Sequence, residues 1–258
     1  MVNLNKEIVI KIHHWNDKLF SFQTTRNKSF RFENGHFVMI GLNIKNNIIM
    51  RAYSIVSANY DDYLEFFSIK IPNGKLTSHL KNLKVGDEIL VSNKSVGTLT
   101  INNLKHGKNL YLLATGTGLA PFISIIKDLS TYERFEKVIL VHSVRNKSDL
   151  AYKDDIENHF NQHEILDSLI AEKLIYYPTV TQELFENNKR ITDLLMFDNF
   201  FLKIRMPKLN PDNDRVMICG NSQALIDISN ILNKIGFKIS NGINKPGDYV
   251  IEKAFVEN

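Results

Sequence analysis

Apolar residues come in short bursts through the first hundred positions. Ile8-Val9-Ile10-Lys11-Ile12, Leu19-Phe20-Ser21-Phe22, His36–Ile40, Ile48–Tyr53, Leu64–Ile69 and Glu88–Val91 are rich in β-branched or aromatic side chains, and polar turns separate them. Runs of this length and spacing predict six short strands of a small antiparallel barrel or sandwich. A single helix is predicted over 76–83, just after the turn Pro72-Asn73-Gly74. From about residue 105 the rhythm changes. Leu110–Ala114 is a continuous apolar run, as a strand covered on both faces requires. Strand signals recur at Val138–Val141, Leu174–Tyr177 and Val216–Cys219, with helical patterns over 119–129, 149–160, 191–197 and 222–235. This alternation predicts a doubly wound parallel α/β sheet that takes ligands at the carboxyl ends of its strands. The polar stretch at 100–108 is the expected join, with a first unit over 1–102 and a second over 103–258.

Composition narrows the classes. The 258-residue chain carries 32 basic and 28 acidic residues, a net +4, too mild to indicate nucleic acid. A lone cysteine, Cys219, excludes a disulfide framework, a CxxC zinc site and a cysteine-held iron–sulfur cluster. No apolar run approaches the roughly 18 residues of a membrane span, and the start lacks a secretory apolar core. A cytoplasmic protein away from membranes is expected. Residues 1–100 hold 13 Lys/Arg against 8 Asp/Glu. That surplus suits an anionic cofactor or an acidic partner, or is scatter on solvated faces. His159 and His163 are four apart but lack the HExxH carboxylate, and no metal site is expected. Ser54 and Cys219 have no base and orienter nearby in sequence, which argues against hydrolase chemistry.

Three segments carry chemistry. In Ala114-Thr115-Gly116-Thr117-Gly118-Leu119-Ala120-Pro121-Phe122, two glycines allow a tight turn and Pro121 suits a first helical turn. The segment reads as a pyrophosphate-binding helix start, or as an ordinary strand-to-helix turn. Arg51-Ala52-Tyr53-Ser54 joins a cation, a flat ring and a hydroxyl at a strand end. Pro72–Ser78 leads a turn into a helix with Thr77 and Ser78 available to cap it or to hold an anion. Downstream, Val141-His142-Ser143-Val144-Arg145 and Lys189-Arg190 place arginines where an adenosine 2′-phosphate could be gripped, or where surface charges simply lie.

RAYS, PNGKLTS, LLATGTGLAPF, VHSVR, MICGN and the ending AFVEN, in this order, closely resemble the bacterial branch of the ferredoxin–NADP(+) reductase family along essentially the whole chain. The resemblance implies an FAD-binding barrel followed by an NADP(H)-binding α/β domain. It further implies a flavoprotein, for which a monomer suffices, that moves electrons between NADP(H) and an acidic ferredoxin or flavodoxin. Alternatives are reduction of free flavin, ferric chelates or a dedicated oxygenase, and a non-catalytic nucleotide-binding or redox-sensing module. By this likeness, Arg51 neutralises the FAD pyrophosphate, Tyr53 stacks on the flavin and Ser54 bonds near N5. Ala52, Phe67, Ser68 and Ile69 line the ring, while Gly74, Lys75, Leu76 and Thr77 hold the pyrophosphate. Gly116, Thr117 and Gly118 lie between the cofactors, and Arg145, Thr181 and Arg190 face the 2′-phosphate. Cys219, Gly220 and Asn221 border the nicotinamide. Ala254 covers the flavin opposite Tyr53, Phe255 lies on the adenine, and Glu257 joins Tyr53, Ser54, Cys219 and Ala254 in the catalytic set.

Two departures from the family pattern are expected to matter. Gln182 stands where bacterial relatives commonly carry a phosphate-binding Arg, and one charge-assisted contact is worth about 1.5–3 kcal/mol. The chain also ends at Asn258 without the terminal aromatic of the plant-type enzymes, so nicotinamide is expected to reach the flavin past the small Ala254. Gln182→Arg should therefore sharpen any preference for NADPH over NADH, read from flavin bleaching with each in turn. An unchanged ratio would place the pocket elsewhere.

Overall fold

The computed structural model describes residues 3–161, 164–243 and 245–254. Strands β1 (Leu4–His14), β2 (Leu19–Thr25), β3 (Phe37–Ile44), β4 (Asn47–Ser54), β5 (Tyr63–Ile69) and β6 (Glu88–Ser92) form an antiparallel sheet in the order β4-β3-β6-β1-β2-β5. The sheet curls until its edges meet. Ile55, just past β4, bridges Phe66 of β5, and Val56 N–H donates to the Glu65 carbonyl at 2.9 Å. Alternation along the strands sends Phe20, Phe22, Val38, Ile40, Leu64, Phe66, Ile89 and Val91 into the barrel. The short helix α1 (Thr77–Leu80) adds fully buried Leu76 and Leu80 to the same cluster.

The second sheet is parallel throughout, in the order β11-β10-β7-β8-β9. It comprises β7 (Asn109–Thr115), β8 (Lys137–Val144), β9 (Leu174–Val180), β10 (Asp214–Gly220) and β11 (Tyr249–Lys253). Helices α2 (Ala120–Ile126), α3 (Leu129–Arg134), α4 (Lys153–Glu157), α5 (Glu164–Lys173), α6 (Ile191–Met196), α7 (Asp198–Lys203) and α8 (Ser222–Lys234) connect its strands. One apolar cluster covers each face of the sheet. From β7 the chain winds outward through β8 to β9, then crosses back to β10. The order therefore reverses between β7 and β10, and a doubly wound sheet opens its ligand crevice at that point.

All seven residues of α2 are buried, and a helix apolar on every side must be covered on every side. One side meets β7 and β8. The other meets Leu19, Val56, Phe67 and Leu99 of the barrel unit, so the two sheets share one continuous core. Ser124, the polar exception, donates to Asn34 Oδ1 at 2.9 Å and to the Ser57 carbonyl at 2.8 Å. Asn34 also accepts from Asn59 N–H and donates to Asp128 Oδ2 at 2.7 Å. Below this contact, the Arg134 and Arg215 guanidiniums donate to carbonyls of the connecting segment, including those of Ile101, Leu104 and Lys105.

The structure departs from the pattern in several places, and the helix expected over 76–83 is the single turn α1. The helix expected over 119–129 ends at Ile126, because Asp128 adopts extended backbone and caps α3, accepting from Ser130 N–H at 3.0 Å. The helix expected over 149–160 shrinks to α4. Tyr152 is drawn out of helical geometry (φ 60°) to donate to Glu65 Oε1 at 2.7 Å and to pack on Trp15 and Phe67. A fifth parallel strand, β11, follows Pro246-Gly247 where the sequence pattern marked no element.

Replacing the buried Asn34 by Leu would strand the Asn59 N–H and the Asp128 carboxylate, a loss of about 2–3 kcal/mol on unfolding. A urea titration checks this. A midpoint equal to that of the unsubstituted protein would mean the cluster contributes nothing to holding the two sheets together.

Candidate functional site

β4 and β5 do not form a ladder; the isolated Ile55–Phe66 bridge joins the sheet at their ends, and beyond it the two strands run apart. Their edges frame a cleft that is partly open to solvent. Arg51, Ala52, Tyr53 and Ser54 line one wall, and Phe67, Ser68, Ile69 and Ile71 the other. Thr77 closes one end. Thr117, Ala120 and Ala254 come from the parallel-sheet unit. Alternation alone would put Arg51 and Tyr53 on one face of β4 and Ala52 and Ser54 on the other. All four reach the cleft because β4 is the sheet's edge strand and the cleft wraps that edge. Tyr53 is held in place: its hydroxyl and that of Ser68 are 3.0 Å apart, and its ring meets Phe66 edge-on.

Of the four residues expected to hold the pyrophosphate around the turn before α1, Thr77 lines the cleft. Gly74 closes the turn, donating to the Ile71 carbonyl at 3.2 Å, whereas Lys75 is exposed and Leu76 belongs to the barrel core. Phe255 and Glu257 lie outside the described residues.

A carboxylate that the sequence pattern did not single out is bonded to the lining residue Ser54. Ser54 Oγ donates to Glu252 Oε1 at 3.0 Å. Glu252 is buried on β11, directly across the ladder from Cys219. Burial raises its pKa from 4.5 to about 7, and the Ser54 hydrogen bond offsets part of that rise. Cys219 is buried too, and burial with the nearby Glu252 raises its thiol pKa well above the ordinary value. It stays a thiol. The only sequence signal for Glu252 was the short run Tyr249-Val250-Ile251, too brief to mark a strand.

At the reversal point, β7 and β10 end side by side. A Cβ on Gly118 would fall 2.3 Å from the Cys219 carbonyl oxygen, and one on Gly220 would fall 2.0 Å from Thr115 Oγ1. Only glycines let the two turns approach this closely. Asn221 N–H donates to Thr115 Oγ1 at 3.2 Å, and the Asn221 side chain caps α8. Beneath the turn lies His142, completely buried, with Nε2 at 3.3 Å from the Gly116 carbonyl and Nδ1 at 3.4 Å from the Tyr176 hydroxyl. Burial lowers its pKa to about 4, so it supports the turn as a neutral ring.

Farther along the crevice, Arg145 follows β8 and is exposed. Thr181 donates to the Val144 carbonyl through its N–H at 3.0 Å and its hydroxyl at 3.1 Å. Thr179 Oγ1 donates to the Lys189 carbonyl at 2.7 Å, which folds the next loop back and sets exposed Arg190 beside β9. Arg145, Thr181 and Arg190 thus share one end of the sheet. Among the described residues no group of three or more His, Cys, Asp and Glu could hold a metal ion.

Comparison with known proteins agrees with this two-part geometry. The family model described as "Oxidoreductase FAD-binding domain" matches residues 5–100, and "Oxidoreductase NAD-binding domain" matches 112–230. The ferredoxin–NADP reductases of Azotobacter vinelandii and Pseudomonas aeruginosa are 56% and 55% identical to the chain over 257 residues, covering 100% of each partner. The chain belongs to the ferredoxin–NADP reductase family. A ferredoxin NADP+ reductase from Neisseria gonorrhoeae, solved with bound FAD and NADP, superposes with a TM-score of 0.88 at 30% identity, covering 98% of this chain and 99% of that one. Membership accounts for the pairing of a curled antiparallel sheet with a parallel one. None of the described helices is long and apolar enough to cross a membrane.

The raised pKa of Glu252 has a signed consequence. Between pH 4.5 and about 7 the folded chain retains a proton that the unfolded chain releases, so stability falls as pH rises through that window, by about 3 kcal/mol in total. Glu252→Gln should remove this slope, measured as urea midpoints of the cofactor-free protein on either side of the window. A slope that survives the substitution would assign it to other groups.

Proposed function

We propose that the protein moves electrons between NADP(H) and a one-electron carrier, ferredoxin or flavodoxin, through FAD held in the β4–β5 cleft. The division between its cofactor-binding units is placed at residues 102–103. The observation that carries the reading is the meeting of three features in one cleft: an anchored flat ring at Tyr53, the Ser54–Glu252 pair, and the Thr117 turn from the parallel sheet. These residues fit a flavin dinucleotide. Arg51 and Thr77 supply a cation and a hydroxyl for its diphosphate, Tyr53 a stacking face, and the small side chains of Ala52, Ala120 and Ala254 leave room beside it. When bound, the flavin accepts a hydride from the nicotinamide and passes the electrons on singly.

The protein's own contribution is placement and proton control. Tyr53, locked by Ser68 and Phe66, fixes the height of the ring in the cleft. Thr117, with Gly118 and Gly220 closely apposed at the turns, would hold a nicotinamide next to the cleft, and the small Ala254 would leave room for it. Glu252, poised near neutrality, holds or releases a proton through Ser54 Oγ. Cys219, a buried thiol packed under the turn, shapes the floor and does not act as a nucleophile. Arg145 and Arg190 draw the adenosine 2′-phosphate to the far end of the crevice.

The surplus of basic residues in the first hundred positions favours an acidic carrier, steered to the cleft by charge. We take the protein to do this as a monomer in the cytoplasm.

Two measurements test the reading. Tyr53→Ala and Arg51→Ala should each weaken FAD retention on gel filtration at least tenfold, and a protein that takes up no FAD when offered an excess would end the proposal. NADPH-driven carrier reduction should slow severalfold when ionic strength rises from about 0.02 to about 0.5 M, because the Debye length shrinks from about 20 Å to a few ångström. A rate indifferent to salt would remove the electrostatic docking and leave the flavin chemistry standing.

A further inference from the structure

Resting on the coenzyme pocket proposed above, we infer that Glu183 sets how strongly the protein distinguishes phosphorylated from unphosphorylated nicotinamide dinucleotides, and that it weakens selection for the 2′-phosphate. No role was assigned to this side chain by any of the sequence motifs. The backbone delivers it to the pocket. Gln182 N–H donates to the Arg145 carbonyl at 2.9 Å, immediately after Thr181 has tied itself to Val144. Glu183 Oε2 then accepts the Lys147 N–H at 3.0 Å. A carboxylate is thereby fixed to the loop that carries Arg145, two residues beyond it.

Its neighbours do not neutralise it. Glu186, on the same loop, is engaged by Lys203 Nζ at 2.5 Å, whereas no cationic side chain among the described residues forms an ion pair with Glu183. Gln182, beside it, is neutral. The pocket therefore offers two exposed arginines, Arg145 and Arg190, together with one tethered negative charge. A ribose 2′-phosphate carries nearly two negative charges at neutral pH and is repelled by that carboxylate. A free 2′-hydroxyl, in contrast, can donate a hydrogen bond to it. Both effects lower discrimination, and both come from the same oxygen atoms.

Glu183→Gln isolates the charge, because the amide oxygen can still accept the Lys147 N–H. With the FAD-loaded protein at low salt, calorimetry should show adenosine 2′,5′-bisphosphate binding about fivefold or more tighter in the variant, with no tightening for adenosine 5′-monophosphate. The NADPH-to-NADH ratio of kcat/KM for flavin reduction should rise by a similar factor, carried by KM, and the gain should shrink at high salt. Arg145→Ala is the control for the pocket itself. If it weakens binding of the bisphosphate while Glu183→Gln changes nothing, the inference fails and the pocket stands. If neither substitution alters binding of the bisphosphate, both the inference and the location of the pocket fail. Equal weakening of both nucleotides in Glu183→Gln would show that the side chain only braces the loop, which also overturns the inference.

Discussion

The structure depends on a closure that is left unfinished. β4 and β5 are the two edges of the curled sheet, and their backbones are joined at the Ile55–Phe66 bridge and the adjacent Val56–Glu65 hydrogen bond. Continued pairing along Arg51–Ser54 and Phe67–Ile69 would close a barrel with a sealed wall and nothing to bind. Stopping at one bridge keeps the curvature that a closed core needs, and it leaves a slot whose two lips are held at a set spacing. The fully buried Phe66 and Phe22 rings keep the bridge in place, so burial in the barrel interior controls the shape of the opening outside it.

The second unit completes the slot because of how it is attached. The helix α2 is buried on one side in the parallel sheet and on the other against Val56 and Phe67, residues adjacent to the slot in sequence or in its wall. The same helix begins directly after the turn that carries Thr117. Packing between the sheets and placement of the Thr117 turn are therefore one event. The polar contacts of Ser124 with Asn34 and Ser57 add direction to an interface that apolar surface alone would let slide.

Much of this was legible from local pattern. The Phe- and Ile-rich runs before residue 100 alternate as half-buried strands do, and Leu110–Ala114 and Val216–Cys219 are apolar throughout because the strands they form lie in the middle of a parallel sheet. The cleft residues Arg51–Ser54, Phe67–Ile69, Thr77, Thr117 and Ala254 were all among the positions that the family likeness marked. What local pattern could not show was set by distant contacts. Tyr152 sits in a good helical stretch, yet one buried hydrogen bond to Glu65 and two aromatic neighbours outweigh a few residues of helix propensity. Glu252 lies on a five-residue edge strand whose register against β10, and hence its position beside Ser54, exists only once the sheet has formed. Glu183 became visible through a single bond to the backbone of another loop.

The complete burial of α2 also bears on how such a chain can diversify. A helix with no solvent-facing side offers no surface on which substitutions are neutral, because it is enclosed in the core that the two units share. Recombination that joined the barrel of one relative to the parallel sheet of another would need to transfer α2 together with the patch formed by Leu19, Val56, Phe67 and Leu99. The working crossover point for chimaeras is therefore this shared apolar seam, and the polar connector that looks like the natural place to cut is itself tied to the parallel-sheet unit through Arg134 and Arg215.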